Sequence, residues 1–342
     1  MSRVASDVPF RLQPLDDLSR WLQAVGWLEP GEGLLDVGPA GAGNMNCTLR
    51  LQTTRRTFIL KHGRPWVEKY PHIPAPVERT LAEAIFYQAV RDVAEVASRM
   101  PRLLGYDRAA NVLMLEDCGA GGDFTHLYGG GMLDPHTVDE LVDYLCALHD
   151  IELSYGLRVS LRNDAMRRLN HEHIFRLPLD PNNGLDLDAI TEGLPVVARR
   201  LARDRQYVAA VTEVGRMYVE DEGPVLIHGD FFPGSWLVTS AGPRIIDPEF
   251  AFIGSAEFDL GVMIAHVLLA GQATGVGARI IDRYQRKASL DSGLLSAFAG
   301  VEIMRRLIGV AQLPLAKDLH RKTTLLELSR DLVCGSIRAD HL

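Results

Sequence analysis

Several features that would assign a chain quickly are scarce or missing from these 342 residues. There are four cysteines, Cys47, Cys118, Cys146 and Cys334, far apart and without a CxxC pair. That usage points to reduced packing residues of a cytoplasmic protein rather than to metal ligands. Basic charge is not in excess: the formal net charge is −8, which argues against nucleic acid or an anionic membrane as the main partner. The opening residues MSRVASDVPFRLQ hold no apolar h-region, so a secretory signal is not expected. The longest apolar run, Phe258 to Gly271, carries Asp259 and His266 and is too short to span a bilayer. No GxxxxGK[ST] phosphate loop is present, and the glycines after Leu34 feed a strand rather than a helix, which sets aside a Rossmann fingerprint. His171 and His173 lack the HExxH spacing or companion ligands of a zinc site. No internal repeat is visible.

What is present is concentrated in Leu226 to Phe252, LIHGDFFPGSWLVTSAGPRIIDPEFAF. Trp236 to Thr239 and Arg244 to Ile246 read as short strands, with Ser240-Ala241-Gly242-Pro243 as the turn of a hairpin. Residues entering and leaving a hairpin lie at its open end, so Asp230 and Asp247, 17 positions apart, are expected to face one small space. Carboxylates brought together repel unless a cation or proton sits between them. One carboxylate to orient a hydroxyl and another to hold magnesium is what phosphoryl transfer requires.

Elsewhere the pattern suggests two lobes, as the length allows. Leu15 to Trp27 has helical spacing. Leu34 to Asn46, CTLRLQT and TFILK read as strands around a glycine-rich turn, the last closing on Lys61. Val77 to Val96 reads as one helix and Val112 to Leu115 as a further strand. From about Pro135 the pattern is mainly helical, with candidates at His136–His149, Leu187–Leu201, Gln206–Val219, Ala256–Ala270, Gly277–Ala288, Leu294–Ala311 and His320–Cys334. Asp259 is read as a structural group bracing the loop that carries Asp230, and His228 as a hydrogen-bonding member of that loop.

These residues resemble the aminoglycoside-phosphotransferase-like kinases, and within them the methylthioribose kinase group. The resemblance runs from Asp36 to about Gln312. It rests on Gly41-Ala42-Gly43-Asn44-Met45-Asn46, Lys61 with Arg79 and Glu83, and Leu115-Glu116-Asp117. It rests further on His228-Gly229-Asp230 with Gly234-Ser235, on Asp247-Pro248-Glu249-Phe250-Ala251-Phe252, on Phe258-Asp259-Leu260-Gly261, and on Arg305-Arg306. The resemblance implies an α+β, bilobal, protein-kinase-like fold. Its N-terminal ATP-binding lobe (1–116) would be antiparallel β with one main helix, and its C-terminal catalytic and substrate lobe (117–342) mainly helical.

It also implies roles. Asp230 would align the acceptor hydroxyl and take its proton. Asp247, with Glu249 and Ser235, would hold Mg2+. Gly41, Gly43 and Asn44 would approach the phosphates of ATP, Lys61 would neutralise them, and Glu83 would hold Lys61. Glu116 and Cys118 would offer backbone hydrogen bonds to adenine. Arg305, Arg306 and Tyr70 would line the acceptor pocket. Departures from the group cluster there: Phe231-Phe232-Pro233 follows HGD, Ile253-Gly254-Ser255 replaces Tyr-Gly-Pro, and the tryptophan expected near Tyr70 is absent. The expected activity is a cytoplasmic small-molecule kinase acting on methylthioribose or a related sugar-like alcohol, with a homodimer left open. An aminoglycoside kinase and a non-catalytic nucleotide-binding regulator are the alternatives.

Overall fold

Two apolar surfaces, one helical and one pleated, organise the beginning of the chain. Helix α1 (Leu15–Ala24) buries Leu18, Trp21 and Leu22, a stripe at i, i+3 and i+4, while Asp16 and Asp17 favour its N-terminal dipole. The strands are β1 (Leu34–Pro39), β2 (Cys47–Thr53), β3 (Thr57–His62), then the small hairpin β4 (Trp66–Val67) and β5 (Tyr70–Pro74). Helices α2 (Arg79–Val90) and α3 (Ala94–Ala97) follow, and β6 (Leu103–Asp107) and β7 (Val112–Glu116) complete the set. An antiparallel five-stranded sheet forms in the order β1-β2-β3-β7-β6. Phe58 and Leu60 of β3 join Leu18, Trp21, Leu22, Trp27, Leu51, Val112 and Met114 in one core. Side chains alternate along a strand, so Lys61 projects from the opposite face, where Glu83 of α2 meets it.

The computed structural model describes residues 10–41, 45–273 and 275–341, and its chain forms two units, the first ending at Gly122 and the second beginning at Asp123. In the second unit the helices are α4 (Pro135–His149), α5 (Tyr155–Ser160), α6 (Asp164–His171), α7 (Leu187–Ile190), α8 (Leu194–Ala202) and α9 (Arg205–Glu220). Four short strands come next: β8 (Val225–Ile227), β9 (Trp236–Leu237), β10 (Arg244–Ile245) and β11 (Phe252–Gly254). The chain ends with α10 (Ala256–Leu269), α11 (Val276–Gln285), α12 (Ser292–Ile308) and α13 (Leu319–Val333). Aspartate carboxylates at Asp134, Asp204, Asp291 and Asp318 accept first-turn N–H groups and set the starts of α4, α9, α12 and α13. Helix α10 is apolar nearly all round and forms the centre of this unit, packed on α12, which packs in turn on α13.

Two expected helices are interrupted. The Val77–Val96 pattern breaks after Val90, because Val93 takes an extended conformation before α3. The Leu187–Leu201 pattern breaks at Gly193, whose φ of 82° is left-handed and whose N–H is held by the Asp188 carboxylate. Among the described residues no helix is long and apolar enough to cross a membrane.

Gly261 lets α10 touch α12: a Cβ there would stand 2.8 Å from the Phe298 Cβ and 3.0 Å from the Ala299 nitrogen. Gly261→Val should therefore force the two helices apart and lower the unfolding free energy by roughly 1–3 kcal/mol, as overpacking does. Urea denaturation of the variant beside wild type measures this.

Candidate active site

In the second unit, two antiparallel ladders nest one inside the other. The outer pairs β8 with β11, Ile227 opposite Phe252, and the inner pairs β9 with β10, Trp236 opposite Ile245. The segments between them, 228–235 and 246–251, are thereby held at both ends. They carry Asp230 and Asp247. The two segments are also joined directly: the Ile246 N–H donates to the Ser235 carbonyl at 3.0 Å, and His228 Nε2 donates to the Ile246 carbonyl at 2.9 Å. Gly229 has φ +83°, and a Cβ there would lie 2.2 Å from the Phe250 carbonyl oxygen, so only glycine allows this approach.

Asp259, in the first turn of α10, fixes the loop from below. Its fully buried carboxylate accepts the N–H of His228 at 2.7 Å and of Gly229 at 2.9 Å, and His149 Nε2 approaches it at 3.3 Å. This is the bracing role expected of Asp259. His228 uses its second ring nitrogen to accept the Asp230 N–H at 3.4 Å. Burial pushes its pKa down, so the ring stays neutral and serves as a fixed donor–acceptor bridge. The Ser235 hydroxyl donates to the Asp230 carbonyl at 2.9 Å, which makes it a tie within the loop. Asp247 occupies the left-handed region at φ 64°, and the Glu249 and Ala251 carbonyls both accept from the Asn163 amide, at 2.9 and 3.0 Å.

The Asp230 carboxylate meets α12. Arg305 Nη2 lies 3.4 Å and Arg306 Nη2 3.2 Å from Asp230 Oδ1. Glu302, one turn earlier, reaches the same pair: 2.6 Å to Arg306 Nε and 3.4 Å to Arg305 Nη1. Two cations thus alternate with two anions in a ring whose Glu302, Arg305 and Arg306 are buried and whose Asp230 is partly exposed. Burial opposes ionisation of Glu302, but Arg305 and Arg306 outweigh it and hold its carboxyl well below the usual range. His266 Nε2 donates to Glu302 at 3.0 Å, and its Nδ1 faces the Tyr128 hydroxyl. Burial lowers the His266 pKa to about 4 against the pull of Glu302, while it raises that of Tyr128, so the histidine is neutral and the phenol protonated.

The first unit gathers a second group. Lys61 and Glu83, both buried, pair at 2.6 Å. Arg79, one turn before Glu83 and fully buried, donates to Asn46 Oδ1 at 2.7 Å and to the carbonyls of Met45, Arg64, Trp66 and Pro76. It ties the end of the glycine loop to the start of α2, a role not assigned from sequence. Of the loop itself Gly41 is described, with open space where a Cβ would stand; Gly43 and Asn44 lie outside the described residues. The Glu116 N–H is engaged by the Arg102 carbonyl at 2.9 Å, and Cys118 follows half-buried. Arg50 grips Asp117 at 2.8 and 3.0 Å and the Gly119 carbonyl at 2.7 Å, fixing this connector. Tyr70 stands on the β4–β5 hairpin. Asn163, Glu302, His266 and Tyr128 also escaped sequence assignment, because isolated polar residues on helices and turns read as solvated.

The sequence matches the phosphotransferase enzyme family over residues 36–294, and the chain belongs to that family. It is a small-molecule kinase. Methylthioribose kinase of Exiguobacterium sibiricum is 24% identical over 338 residues, spanning 85% of this chain and 84% of its own. Among solved structures, LicA in complex with AMP superposes with a TM-score of 0.54 at 12% identity, covering 93% of this chain and 98% of that one. A putative fructosamine-3-kinase from Thermobifida fusca YX-ER1 gives 0.51 at 17% identity, covering 90% and 96%. These likenesses show the protein-kinase-like fold, with its antiparallel N-terminal sheet and helical C-terminal part.

Neutral His228 and His266 make stability depend on pH. Both folded pKa values lie below the ordinary 6.5, that of His266 at about 4, so below pH 6.5 the unfolded chain binds more protons than the folded one, for His266 down to about pH 4. Stability is expected to fall as pH drops through this window, by up to about 1.4 kcal/mol per pH unit for each histidine. The carboxylate of Glu302 adds its own loss only below its ordinary 4.5. Thermal unfolding at pH 7.5, 5.5 and 4.5 measures the slope, which His266→Gln should make shallower.

Proposed function

We propose that this protein is an ATP- and Mg2+-dependent kinase that phosphorylates a hydroxyl of methylthioribose or a related uncharged, sugar-like alcohol. The similarity to methylthioribose kinase over 85% of the chain carries the acceptor reading. Asp230, at the mouth of the nested ladders, would receive the proton of the attacking hydroxyl, and the guanidiniums beside it would hold acceptor oxygens. Lys61, held in place by Glu83, would neutralise nucleotide phosphates, helped by N–H groups of the loop holding Gly41, Gly43 and Asn44. Backbone groups near Glu116 and Cys118 would take adenine. In this reading residues 1–116 serve the nucleotide and residues 117–342 the acceptor, with Tyr70 contributing to acceptor specificity.

Asp247 and Glu249 would supply the hard oxygen donors that Mg2+ prefers, with the Ser235 hydroxyl as a further candidate. No group of three or more metal-binding His, Cys, Asp or Glu side chains occurs among the described residues. That fits magnesium in kinases, which is held by one or two carboxylates together with substrate phosphates rather than by an all-protein cage. When bound, it would offset the negative charge of the phosphates.

The balanced ring of Asp230, Arg305, Glu302 and Arg306 supports an uncharged acceptor. A polycationic aminoglycoside would place ammonium groups among buried guanidiniums, at a cost in desolvation and repulsion. The formal net charge of −8 supports a small-molecule partner over nucleic acid or an anionic membrane.

A coupled assay of ADP formation with methylthioribose, ribose and aminoglycosides tests this, with turnover expected for the first and little for the last. Asp230→Asn should lower kcat on methylthioribose by roughly 10²–10⁴-fold while Mg–ATP affinity by calorimetry stays near wild type; retained turnover would remove Asp230 from the reaction. Asp247→Ala should lose magnesium-dependent nucleotide binding together with activity, and unchanged Mg–ATP affinity would place the metal elsewhere.

A further inference from the structure

Asparagine at the start of a helix ordinarily caps it, its side-chain oxygen accepting an N–H of the first turn. Asn163, which precedes α6, does not. Its backbone lies in the left-handed region at φ 48°, and its side chain makes no cap bond. The amide is spent elsewhere: Nδ2 donates to the Glu249 carbonyl at 2.9 Å and to the Ala251 carbonyl at 3.0 Å, using both of its hydrogens. Both partners are carbonyls, so only the amide nitrogen can face them. The helix behind Asn163 is firmly seated. Arg167 donates to the Tyr218 and Asp221 carbonyls at 2.7 and 3.1 Å, and its guanidinium lies 4.4 Å from the centre of the Phe252 ring. Asn170 donates to the Tyr218 hydroxyl at 3.2 Å. Asn163 therefore carries the hold of a packed helix onto residues 249–251. At the other end of the same turn, Ile246 is tied to Ser235 and His228. Asp247 lies between these two anchors. Its own left-handed φ of 64° costs a non-glycine residue energy and persists only where the surroundings impose it.

We propose that Asn163 is a positioning residue for magnesium. By holding the carbonyls of Glu249 and Ala251 it keeps the turn closed and Asp247 in its strained conformation, and so sets where the two carboxylates of the turn present their oxygens. This rests on the reading of Asp247 and Glu249 as the metal ligands. A merely conformational role for Asn163 is separable from this one. Glycine takes the left-handed region more readily than asparagine, so Asn163→Gly keeps the start of α6 and removes only the amide. Asn163→Asp keeps the size of the side chain and turns a carboxylate oxygen, which cannot donate, toward the two carbonyls.

Two measurements on the full chain test this. Amide hydrogen exchange needs neither metal nor nucleotide. The Ala251 N–H closes the turn on the Pro248 carbonyl at 3.1 Å, and in Asn163→Gly it should exchange faster by roughly tenfold or more. The Ile246 N–H, held independently by the Ser235 carbonyl, should keep its rate. An unchanged Ala251 rate, or equal quickening at both amides, would overturn the anchoring. Calorimetry of ADP binding with and without Mg2+ reads the other half of the proposal. Wild type should bind ADP more tightly with the ion. Asn163→Gly should lose roughly tenfold or more of that gain, and Asn163→Asp more still, with Mg2+-free ADP affinity nearly kept in both. A glycine variant with the full gain would overturn the proposal, as would equal losses with and without the ion. Asn163→Asp gives the same two readouts should the glycine variant not fold. If wild type shows no gain from Mg2+, the metal reading fails and this role with it, while the exchange rates still decide whether Asn163 anchors the turn.

Discussion

One carboxylate sustains the arrangement of the second unit. Asp259 takes the two backbone N–H groups of His228 and Gly229, and without it a buried loop would hold unsatisfied donors next to Asp230. Desolvating an ionised aspartate is expensive, and two N–H donors with the nearby His149 ring offset that expense only if their geometry is kept. Asp259 sits in the first turn of α10, the most deeply packed helix, so the loop inherits the rigidity of the core. Rigidity is what a proton-accepting group needs, because displacements of an ångström cost much of the rate.

The nested ladders extend this constraint. Two pairs of strands, each only two or three residues long, are too small to be stable alone. They persist because Ile227, Trp236, Ile245 and Phe252 are buried in the helical core and because His228 bridges the two segments between them. The first unit solves a related problem with Arg79, whose five hydrogen bonds gather residues 45–46, 64–66 and 76 around the start of α2.

Much of this was legible in the residues. The inner hairpin was visible because turn residues separate two apolar stretches, and Lys61 stood out because it closes an apolar strand. Asp259 could be read as a brace from its place after HGD and DPE. The outer β8–β11 pair was not legible, since three-residue strands have no periodicity to detect. The Glu302–His266–Tyr128 chain was hidden for another reason. Its members are separated by 36 and 138 positions; the packing of α10 on α12 brings Glu302 to His266, and the turn at 124–129 brings Tyr128 to the other side of that ring. A lone glutamate or histidine on a helix looks like a solvated charge until that packing is known.

The ring of alternating charges has a consequence for behaviour in salt. Mobile ions screen charges they can surround, and Arg305, Arg306 and Glu302 are closed off from them. Exposed pairs elsewhere, such as Arg279 with Asp139 across α11 and α4, remain open to screening. Ionic strength can therefore loosen the outer helices while leaving the mutual attraction of Arg305, Arg306 and Glu302 little changed. The two kinds of ion pair divide the molecule into a surface that senses its medium and an interior that does not.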